Sequence, residues 1–452
     1  MGSVAPSIAR QSVIWRIFAA TLTVGGFTTL AKLAGGLKVI LMARYFGTSD
    51  ALDAFLIALV LPSFVAETAA GSLIPSLIPT FIEVRQSKGT EAAQRLYSSV
   101  LAAIAVLLAI LAVLLAVCSR LLLPLLGSSF GPSKLVLTRW LFLWLLWWLP
   151  ISGLIVTWRA VLNAGEQFAI AAAAPITTPL LTILLLTTQG GRPGIGTLAA
   201  GAIVGVAAEA GTLAWSVHAK GYPLMPRWGG WSPELKTVFA QYLPMVAGTV
   251  IVGSSALIDQ GMAAILGAGS VSALAYGMKL VTVLLATGAA ALGTAVLPHF
   301  SKMITLGDRV TLRHTVKTYA ALIVAVSIPV SFLLARYSEP IVRLLFQRGA
   351  FTIAQTGVVA TVQSYSLVQI PFAVLLAMAV KLASSLKANR LMLETAALAL
   401  AVNVIADYAL MQWKGVAGIA LAGAVVHCAS LLYLSIALSR RMRGRFHNAA
   451  AA

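Results

Sequence analysis

Charged residues are scarce in this sequence. Only 10% of the 452 residues are Asp, Glu, Lys or Arg, whereas 60% are hydrophobic, and the mean hydropathy is +0.94. So few charges do not supply the polar surface that a water-soluble fold of this length needs, which excludes a soluble enzyme. The composition therefore predicts an integral membrane protein.

Cysteine is almost absent as well. Cys118 and Cys428 fall in apolar helical runs, which argues against a disulfide framework and against a metal site. The sequence contains no GxxxxGK followed by Ser or Thr, no HExxH and no CxxC, so it has no nucleotide-binding or zinc-protease signature. We expect a transporter rather than an enzyme, with no cofactor and no metal. A sodium or proton gradient or the membrane potential is then the expected energy source.

Acidic residues are outnumbered by basic ones, with 13 Asp and Glu against 32 Lys and Arg. The basic residues are scattered between apolar runs and form no contiguous stretch, so we expect no nucleic-acid partner. Most of those outside the apolar runs fall on the side that holds both termini. The positive-inside rule therefore predicts that both termini are cytoplasmic.

Long hydrophobic runs are abundant. About 20 apolar residues are needed to cross about 30 Å of hydrocarbon as a helix, and the sequence contains twelve such runs. An apolar unit around Gly47 recurs in shortened form around Gly267, which indicates an all-α protein with two pseudo-symmetric six-helix lobes around a central cavity. The predicted spans are 14–43, 53–82, 97–118, 139–162, 168–188, 196–217, 237–265, 271–297, 316–335, 354–382, 391–411 and 416–438.

A connector rich in turn residues separates the predicted lobes. Residues 219–234 hold three prolines and three glycines, which is typical of a loop. We therefore assign 1–218 to an N-terminal lobe, 219–234 to a cytoplasmic linker and 235–440 to a C-terminal lobe. Residues 441–452 form a basic tail that we expect to lie against anionic lipid headgroups.

Several charged side chains fall within or near the predicted spans. A charge at the centre of a membrane helix costs about 2.5–3.5 kcal/mol on insertion scales, so these side chains are expected to face a cavity. Intramembrane lysines predict a site for an anionic head group such as a pyrophosphate; snorkelling to the interface or pairing with a nearby carboxylate is the alternative. The predicted substrate-binding residues are Lys38, Lys279, Lys32, Asp53 and Glu67, and Lys381 is a further intramembrane lysine. The candidate ion-coupling residues are Asp259, Glu209, Asp407 and Glu394.

Four tryptophans lie close together in the fourth predicted span. Trp140, Trp144, Trp147 and Trp148 follow helical spacing and are expected to share one face of a helix. Lipid-facing anchoring or helix packing is the favoured interpretation because tryptophan is enriched at membrane interfaces. A sugar-stacking platform is the alternative.

Three ordered motifs resemble a known family. ARYFG, DAF, LP and AAGSLIPSLIPTF follow one another within 43–81, LAYGMKLVTVLLATGAAALGTAVLPHFSK occupies 274–302, and LLFQRGAFT occupies 344–352. Together they resemble the MurJ (MviN) lipid II flippases of the MOP exporter superfamily. The resemblance implies a bacterial inner-membrane monomer that moves an undecaprenyl-pyrophosphate-linked saccharide, lipid II or a related glycan precursor, from the cytoplasmic to the periplasmic leaflet by alternating access. Its partners would be that polyprenyl-linked saccharide and membrane lipid.

The resemblance also implies roles for individual residues. Lys38 stands where the family has a first-helix arginine, Asp53 is the aspartate of the DAF motif, and Lys279 stands where the family has an eighth-helix arginine. Lysine keeps the charge of arginine but lacks its planar fork, so the geometry of phosphate binding should differ.

The sequence departs from the family pattern in three respects. The family's Arg-Asp pair reads Lys38-Val39, its Arg-Arg pair in the second helix is replaced near Ala66-Glu67, and two further spans usual in the family are not among the twelve predicted here. A MATE-like cation or drug antiporter that couples through Asp53, Glu67 or Asp259 is therefore the alternative function. A non-transporting scaffold of the cell envelope is the third possibility.

Overall fold

The computed structural model describes residues 5–189, 193–306 and 308–448. Side chains are described from Leu22 to Arg441, except at 289–291, 293–298, 301 and 309. Helix extends to Asn448 within the predicted basic tail, and the last alanines of that tail lie outside the described residues.

The first half of the chain folds into nine α-helices, counted over the described residues. A π-helical turn, Ala66–Ala70, separates the second helix from the third, and a 3₁₀ turn, Ala174–Ile176, separates the seventh from the eighth. The helices are α1 (Ala5–Phe46), α2 (Asp50–Val65), α3 (Leu73–Lys88), α4 (Thr90–Leu126), α5 (Pro132–Leu145), α6 (Trp148–Ala164), α7 (Phe168–Ala173), α8 (Thr177–Thr188) and α9 (Gly196–Ala219).

The second half is also helical over its described residues. Its helices are α10 (Pro233–Ile265), α11 (Ser270–Gly277), α12 (Lys279–Thr305), α13 (Arg309–Arg336), α14 (Ser338–Phe346), α15 (Ile353–Leu367), α16 (Ile370–Ser385), α17 (Asn389–Lys414) and α18 (Val416–Asn448).

Twelve helical segments among the described residues are long and apolar enough to cross a membrane, which confirms the predicted all-α fold and the number of spans. Several of these segments are not single helices. The second, fourth, fifth, eighth and tenth each consist of two α-helices joined by a short irregular turn. Such breaks are tolerated at membrane depth where neighbouring helices satisfy the freed backbone groups.

Side-chain caps begin two of the helices in the second half. Thr352 and Gln355 form a reciprocal capping box at the start of α15, with hydrogen bonds of 3.1 and 3.3 Å. Asp308 accepts a hydrogen bond of 3.0 Å from the backbone N–H of Thr311 at the start of α13. This bond holds the pKa of the Asp308 carboxyl below its usual range.

The chain divides into two compact units. The first unit holds Met1–Tyr45, Ala58–Leu123 and Ser133–Thr249, and the second holds Phe46–Ile57, Pro124–Pro132 and Val250–Ala452. Most of the first unit thus precedes residue 250, and two short segments from the first half belong to the second unit. The assignment of lobe boundaries at 218 and 235 stays a prediction.

The first unit has an apolar core between α3, α4, α6 and the start of α10. Leu77, Phe81 and Leu101 are fully buried there, and the hydroxyl of Tyr242 donates a hydrogen bond of 2.7 Å to the carbonyl of Ala69. Because lipid is as apolar as these side chains, close packing and hydrogen bonding hold the helices together rather than exclusion of water.

The second unit has its own core between α12, α13, α16 and α18. Phe300, Ala383 and Leu434 are fully buried in it, and Leu382 and Leu438 are almost so. Each unit therefore packs around a core of its own.

The pair α8 and α9 packs through small residues. Gly201 and Gly205 form a GxxxG motif on α9 and lie directly against Thr182 and Thr178 of α8. A Cβ atom added at Gly205 would stand 2.6 Å from the Cα of Thr178. Glycine at this position is what allows the two backbones to approach so closely.

Replacing Gly205 by Ala is therefore expected to destabilise the protein by about 1–3 kcal/mol, because an overpacked interface must move apart. Thermal unfolding of the purified protein in detergent measures the effect. Gly211→Ala is the matched control, since no atom lies within 4 Å of a Cβ at Gly211 on the same helix. Equal melting temperatures for the two variants would contradict this account of the α8–α9 contact.

Candidate functional site

A cavity of about 1160 Å³ lies within the first unit. Its walls come from α1, the π-helical turn after α2, and helices α6 to α9. Most of the lining is apolar, as is usual for binding pockets, with a few polar groups that fix orientation. The charged and amide side chains that line it are Lys32, Lys38, Glu67, Arg159, Asn163 and Glu209.

The wall formed by α1 carries the two lysines. Thr28, Lys32, Gly35 and Lys38 recur at three- to four-residue spacing, so one face of α1 lines the cavity. Lys32 is exposed and Lys38 is half-buried. Three of the predicted binding residues, Lys32, Lys38 and Glu67, therefore line a single cavity.

Glu67, in the second span, faces this cavity. The π-helical turn Ala66–Ala70 contains four buried residues, whereas Glu67 is exposed to the cavity. Gly71 closes the turn, and a Cβ atom there would stand 2.4 Å from the carbonyl oxygen of Glu67. π-Helical turns occur frequently at functional sites because the extra residue re-aims a side chain.

Arg159 and Glu209 form an ion pair in the cavity wall. The Arg159 Nη2 donates to Glu209 Oε1 at 2.5 Å, and the Thr178 hydroxyl donates to Glu209 Oε2 at 3.2 Å. The side chains are 27% and 9% exposed, respectively. Both carboxylate oxygens of Glu209 are thus bonded within the protein. That arrangement fixes Arg159 at the cavity surface, and the proposed role of Glu209 in ion coupling stays a prediction.

Arg159 is not among the functional residues predicted from the sequence. A signal was present, since Arg159 lies inside the predicted span 139–162, where a charge needs a cavity or a partner. In the structure it has both, because it lines the cavity and pairs with Glu209.

The four tryptophans do not share one face. The chain leaves α-helical geometry at Leu146 and Trp147, and α6 begins at Trp148. Trp140, Trp144 and Trp147 are 48%, 51% and 68% exposed, whereas Trp148 is half-buried and lines the cavity. The expectation of a single face assumed a continuous helix. Because the helix breaks between α5 and α6, Trp148 faces the cavity, whereas the other three tryptophans are exposed.

Asp53 lies in the second unit and is fully buried. Its carboxylate accepts hydrogen bonds from the backbone N–H groups of Gly269 at 2.7 Å and Ser272 at 2.9 Å, at the start of α11. An anionic side chain at this position satisfies free helix N–H groups and is stabilised by the positive end of the helix dipole. Its predicted contact with substrate stays a prediction.

Asp53→Asn is expected to lower the stability of the protein by about 1–2 kcal/mol, because the amide has one acceptor oxygen and no charge for the start of α11. Differential scanning fluorimetry of the purified variant measures the change. Asp50→Asn, an exposed aspartate in the first turn of α2, is the matched control and should change stability less. A wild-type melting temperature for Asp53→Asn would contradict the capping role.

A second polar cluster lies between α10, α17 and α18 of the second unit. The Asn403 Nδ2 donates to Asp259 Oδ1 at 3.0 Å and to Asp407 Oδ2 at 3.2 Å, and His427 interacts electrostatically with Asp259. Asn403 Oδ1 is buried without a hydrogen-bond partner among the described residues, and the carboxyl groups of Asp259 and Asp407 lie within hydrogen-bonding reach of each other. Two of the predicted ion-coupling residues, Asp259 and Asp407, are therefore brought together.

The remaining predicted residues lie elsewhere in the second unit. Glu394 binds Arg390 Nε at 2.9 Å and the Tyr433 hydroxyl at 2.6 Å on the exposed side of α17. Lys279 is the first residue of α12 and is exposed, and Lys381 is half-buried on α16. The convergence of Lys38 and Lys279 on one site stays a prediction, since the two lysines belong to different units.

Comparison with known proteins gives consistent results. The chain is 27% identical to the lipid II flippase MurJ of Burkholderia cenocepacia over 94% of its length and 84% of that protein. A solved structure of lipid II flippase MurJ in an inward closed conformation matches 92% of the chain and 87% of its own, with 20% identity and a TM-score of 0.79. An inward-facing multidrug resistance MATE family transporter of the MOP superfamily matches 92% of the chain and 96% of its own, with 16% identity and a TM-score of 0.70.

The family assignment rests on the sequence match over most of the chain. The family model described as lipid II flippase MurJ matches residues 42–452. The likenesses to solved structures add the fold, which MurJ and MATE proteins share. The chain therefore belongs to the MurJ lipid II flippase family.

Proposed function

We propose that this protein moves a polyprenyl-pyrophosphate-linked saccharide, lipid II or a related glycan precursor, from the cytoplasmic to the outer leaflet of the bacterial inner membrane by alternating access. The family is one of flippases, which are transporters rather than enzymes. The observation that carries the proposal is the cavity of the first unit, in which Lys32 and Lys38 face a space large enough for a lipid head group.

The two lysines are suited to a pyrophosphate. An ammonium is a compact charge with three donors, and a hydrogen bond between ions is about twice as strong as one between neutral groups. Most of the lining is apolar, and a low local dielectric constant strengthens the attraction between a lysine and an anion.

Native mass spectrometry of the purified protein tests this proposal. We expect a polyprenyl-pyrophosphate lipid to co-purify with the wild-type protein and to be lost from Lys32→Ala/Lys38→Ala. Lys220→Ala, an exposed lysine outside the cavity, is the control. Absence of any such lipid from the wild-type protein, with a cationic drug bound in its place, would overturn the proposal.

A MATE-like antiporter is the second candidate. The structural likeness to a MATE transporter and the two carboxylates in the cavity, Glu67 and Glu209, favour it. Lys32 and Lys38 in the same lining oppose a cationic substrate, and Glu209 is already neutralised by Arg159. Drug efflux that collapses with a sodium or proton gradient would favour the antiporter over the flippase.

The cluster of Asp259, Asn403 and Asp407 is our proposed site for the coupling sodium ion or proton. Two neighbouring carboxyl groups and the Asn403 Oδ1 atom, which has no partner among the described residues, supply oxygen ligands of the kind that hard cations prefer. Buried carboxylates in membrane helices are also usual in proton relays.

Asp407→Asn is therefore expected to reduce gradient-driven transport at least about tenfold, since one charged ligand typically contributes 1.4 kcal/mol or more. Transport by proteoliposomes with and without an imposed sodium or proton gradient measures the effect. Glu339→Gln serves as the control because Glu339 lies outside this cluster, in an exposed ion pair with Arg343 on α14. Gradient-dependent transport at the wild-type rate in Asp407→Asn would exclude the site.

We further propose that both termini are cytoplasmic and that the protein acts as a monomer. The excess of Lys and Arg on the side of the termini supports the orientation. Reporter fusions at each terminus and the mass of the purified protein in nanodiscs test the two statements. A periplasmic terminus or a stable dimer would contradict them.

A further inference from the structure

We propose that the wall of the cavity formed by α6 and the π-helical turn binds the saccharide of the substrate. In this arrangement Trp148 is a stacking surface, and Arg159, Asn163 and Glu67 are hydrogen-bonding groups. The inference rests on the proposed function and specifies which part of the lipid-linked molecule this wall recognises.

The cavity is too large for a pyrophosphate alone to fill it. Trp148, Arg159 and Asn163 lie on one face of α6, and the first and last of them are about 22 Å apart along the helix axis. Lys32 and Lys38 span only about 9 Å along α1. The volume of about 1160 Å³ exceeds the roughly 300–1,000 Å³ that is usual for pockets that hold an entire drug-sized molecule.

The charge of the α6 wall argues against a second anionic group there. Arg159 is balanced by its ion pair with Glu209, and Glu67 adds a negative charge that no hydrogen bond or salt bridge described here neutralises. The polar side chains of this wall, Arg159, Asn163 and Glu67, are planar hydrogen-bond donors and acceptors. A carboxylate accepts from hydroxyl groups, whereas a guanidinium and an amide donate to them, so this set suits a neutral molecule rich in hydroxyl groups.

Trp148 supplies the apolar surface that a sugar ring needs. An indole ring offers a large rigid face with few rotatable bonds, and the C–H face of a pyranose can lie flat against it. Trp148 is half-buried in the cavity lining, whereas its neighbour Trp144 is 51% exposed on α5. Because of the break between α5 and α6, Trp148 lines the cavity and Trp144 does not.

The Arg159 side chain and the backbone turn that carries Glu67 are held in place before any ligand arrives. Glu209 is bonded at both carboxylate oxygens, by Arg159 and by Thr178, and Gly71 closes the turn that presents Glu67. A pre-organised wall loses little conformational entropy on binding, which favours a selective site for the saccharide.

The test compares two lipids on the purified full-length protein in nanodiscs: polyprenyl pyrophosphate, and polyprenyl pyrophosphate that carries a disaccharide. We expect the wild-type protein to bind the disaccharide lipid at least about tenfold more tightly, which corresponds to 1.4 kcal/mol. Trp148→Ala and Glu67→Gln should each lose most of this preference, and the affinity of Trp148→Ala for polyprenyl pyrophosphate should stay within about twofold of wild type. Trp144→Ala, the exposed tryptophan on α5, is the matched control and should keep the preference.

Trp148→Phe, which retains an aromatic face, should preserve part of the preference and serves if Trp148→Ala does not fold. Equal affinity of the wild-type protein for the two lipids, or an unchanged preference in both Trp148→Phe and Glu67→Gln, would overturn the saccharide site while leaving the proposed function intact. Failure of the wild-type protein to bind either lipid would instead overturn the proposed function.

Discussion

Lys38→Ala is expected to abolish transport of the lipid-linked saccharide at ordinary expression levels. Removal of a charged donor from a pyrophosphate weakens binding by about 1.5–3 kcal/mol, which is about tenfold to one hundredfold in affinity. Lys38 is half-buried in the wall of the cavity, so bulk water does not replace it freely. Complementation of a strain depleted of its own flippase measures the loss.

Two further variants make this prediction specific. Lys38→Arg keeps the positive charge and should retain transport, because a guanidinium also donates to phosphate oxygens. Lys220→Ala removes an exposed lysine outside the cavity and should have no effect. Full transport by Lys38→Ala at normal abundance would remove Lys38 from the binding site.

Glu209→Ala is expected to destabilise the protein by about 3 kcal/mol. Removal of one partner of a buried ion pair leaves the other charge uncompensated, which typically costs 3–5 kcal/mol, and the lower end of that range applies because the Arg159 side chain is 27% exposed. Thr178 also loses its acceptor. Unfolding of the purified variant by heat or by denaturant in detergent measures the difference.

The double variant Arg159→Met/Glu209→Met separates pairing from packing. It removes both charges and should restore most of the lost stability, since apolar replacements of buried ion pairs are often neutral. If the double variant is as unstable as Glu209→Ala, the loss comes from packing and not from the unpaired arginine.

The general fold could be predicted from the sequence because the membrane imposes it. Only helices satisfy their own backbone hydrogen bonds across about 30 Å of hydrocarbon, so twelve apolar runs predict twelve helical spans. The structure has that number among its described residues. Several breaks within spans carry a proline signal: Pro175 lies in the 3₁₀ turn of the fifth span, and Pro150 and Pro371 stand in the first turns of α6 and α16.

The candidate site could be predicted only in part. Lys32, Lys38 and Glu67 stood out because a charge in an apolar run needs a cavity, and all three line one. Trp148 was grouped with its neighbours on an assumed continuous helix, so its place in the cavity was not predicted. Arg159 lies inside the predicted span 139–162, and its partner Glu209 could not be identified from the sequence.

Contacts between residues far apart in the chain could not be predicted from the sequence. Asp53 was a candidate for substrate binding, and its acceptor oxygens are taken by backbone groups more than 200 residues away. Asp259 and Asp407 were both candidates for ion coupling, and only the packing of α10 against α17 brings them to the same asparagine.

Movement of the lipid between leaflets is the central claim, and reconstituted vesicles measure it directly. A fluorescent polyprenyl-pyrophosphate disaccharide is placed in one leaflet, and its arrival in the other is followed by a membrane-impermeant quencher. We predict rapid transfer in vesicles that contain the wild-type protein and background transfer with Lys38→Ala. Transfer by the wild-type protein no faster than that in protein-free vesicles, under imposed sodium, proton and voltage gradients alike, would contradict the account.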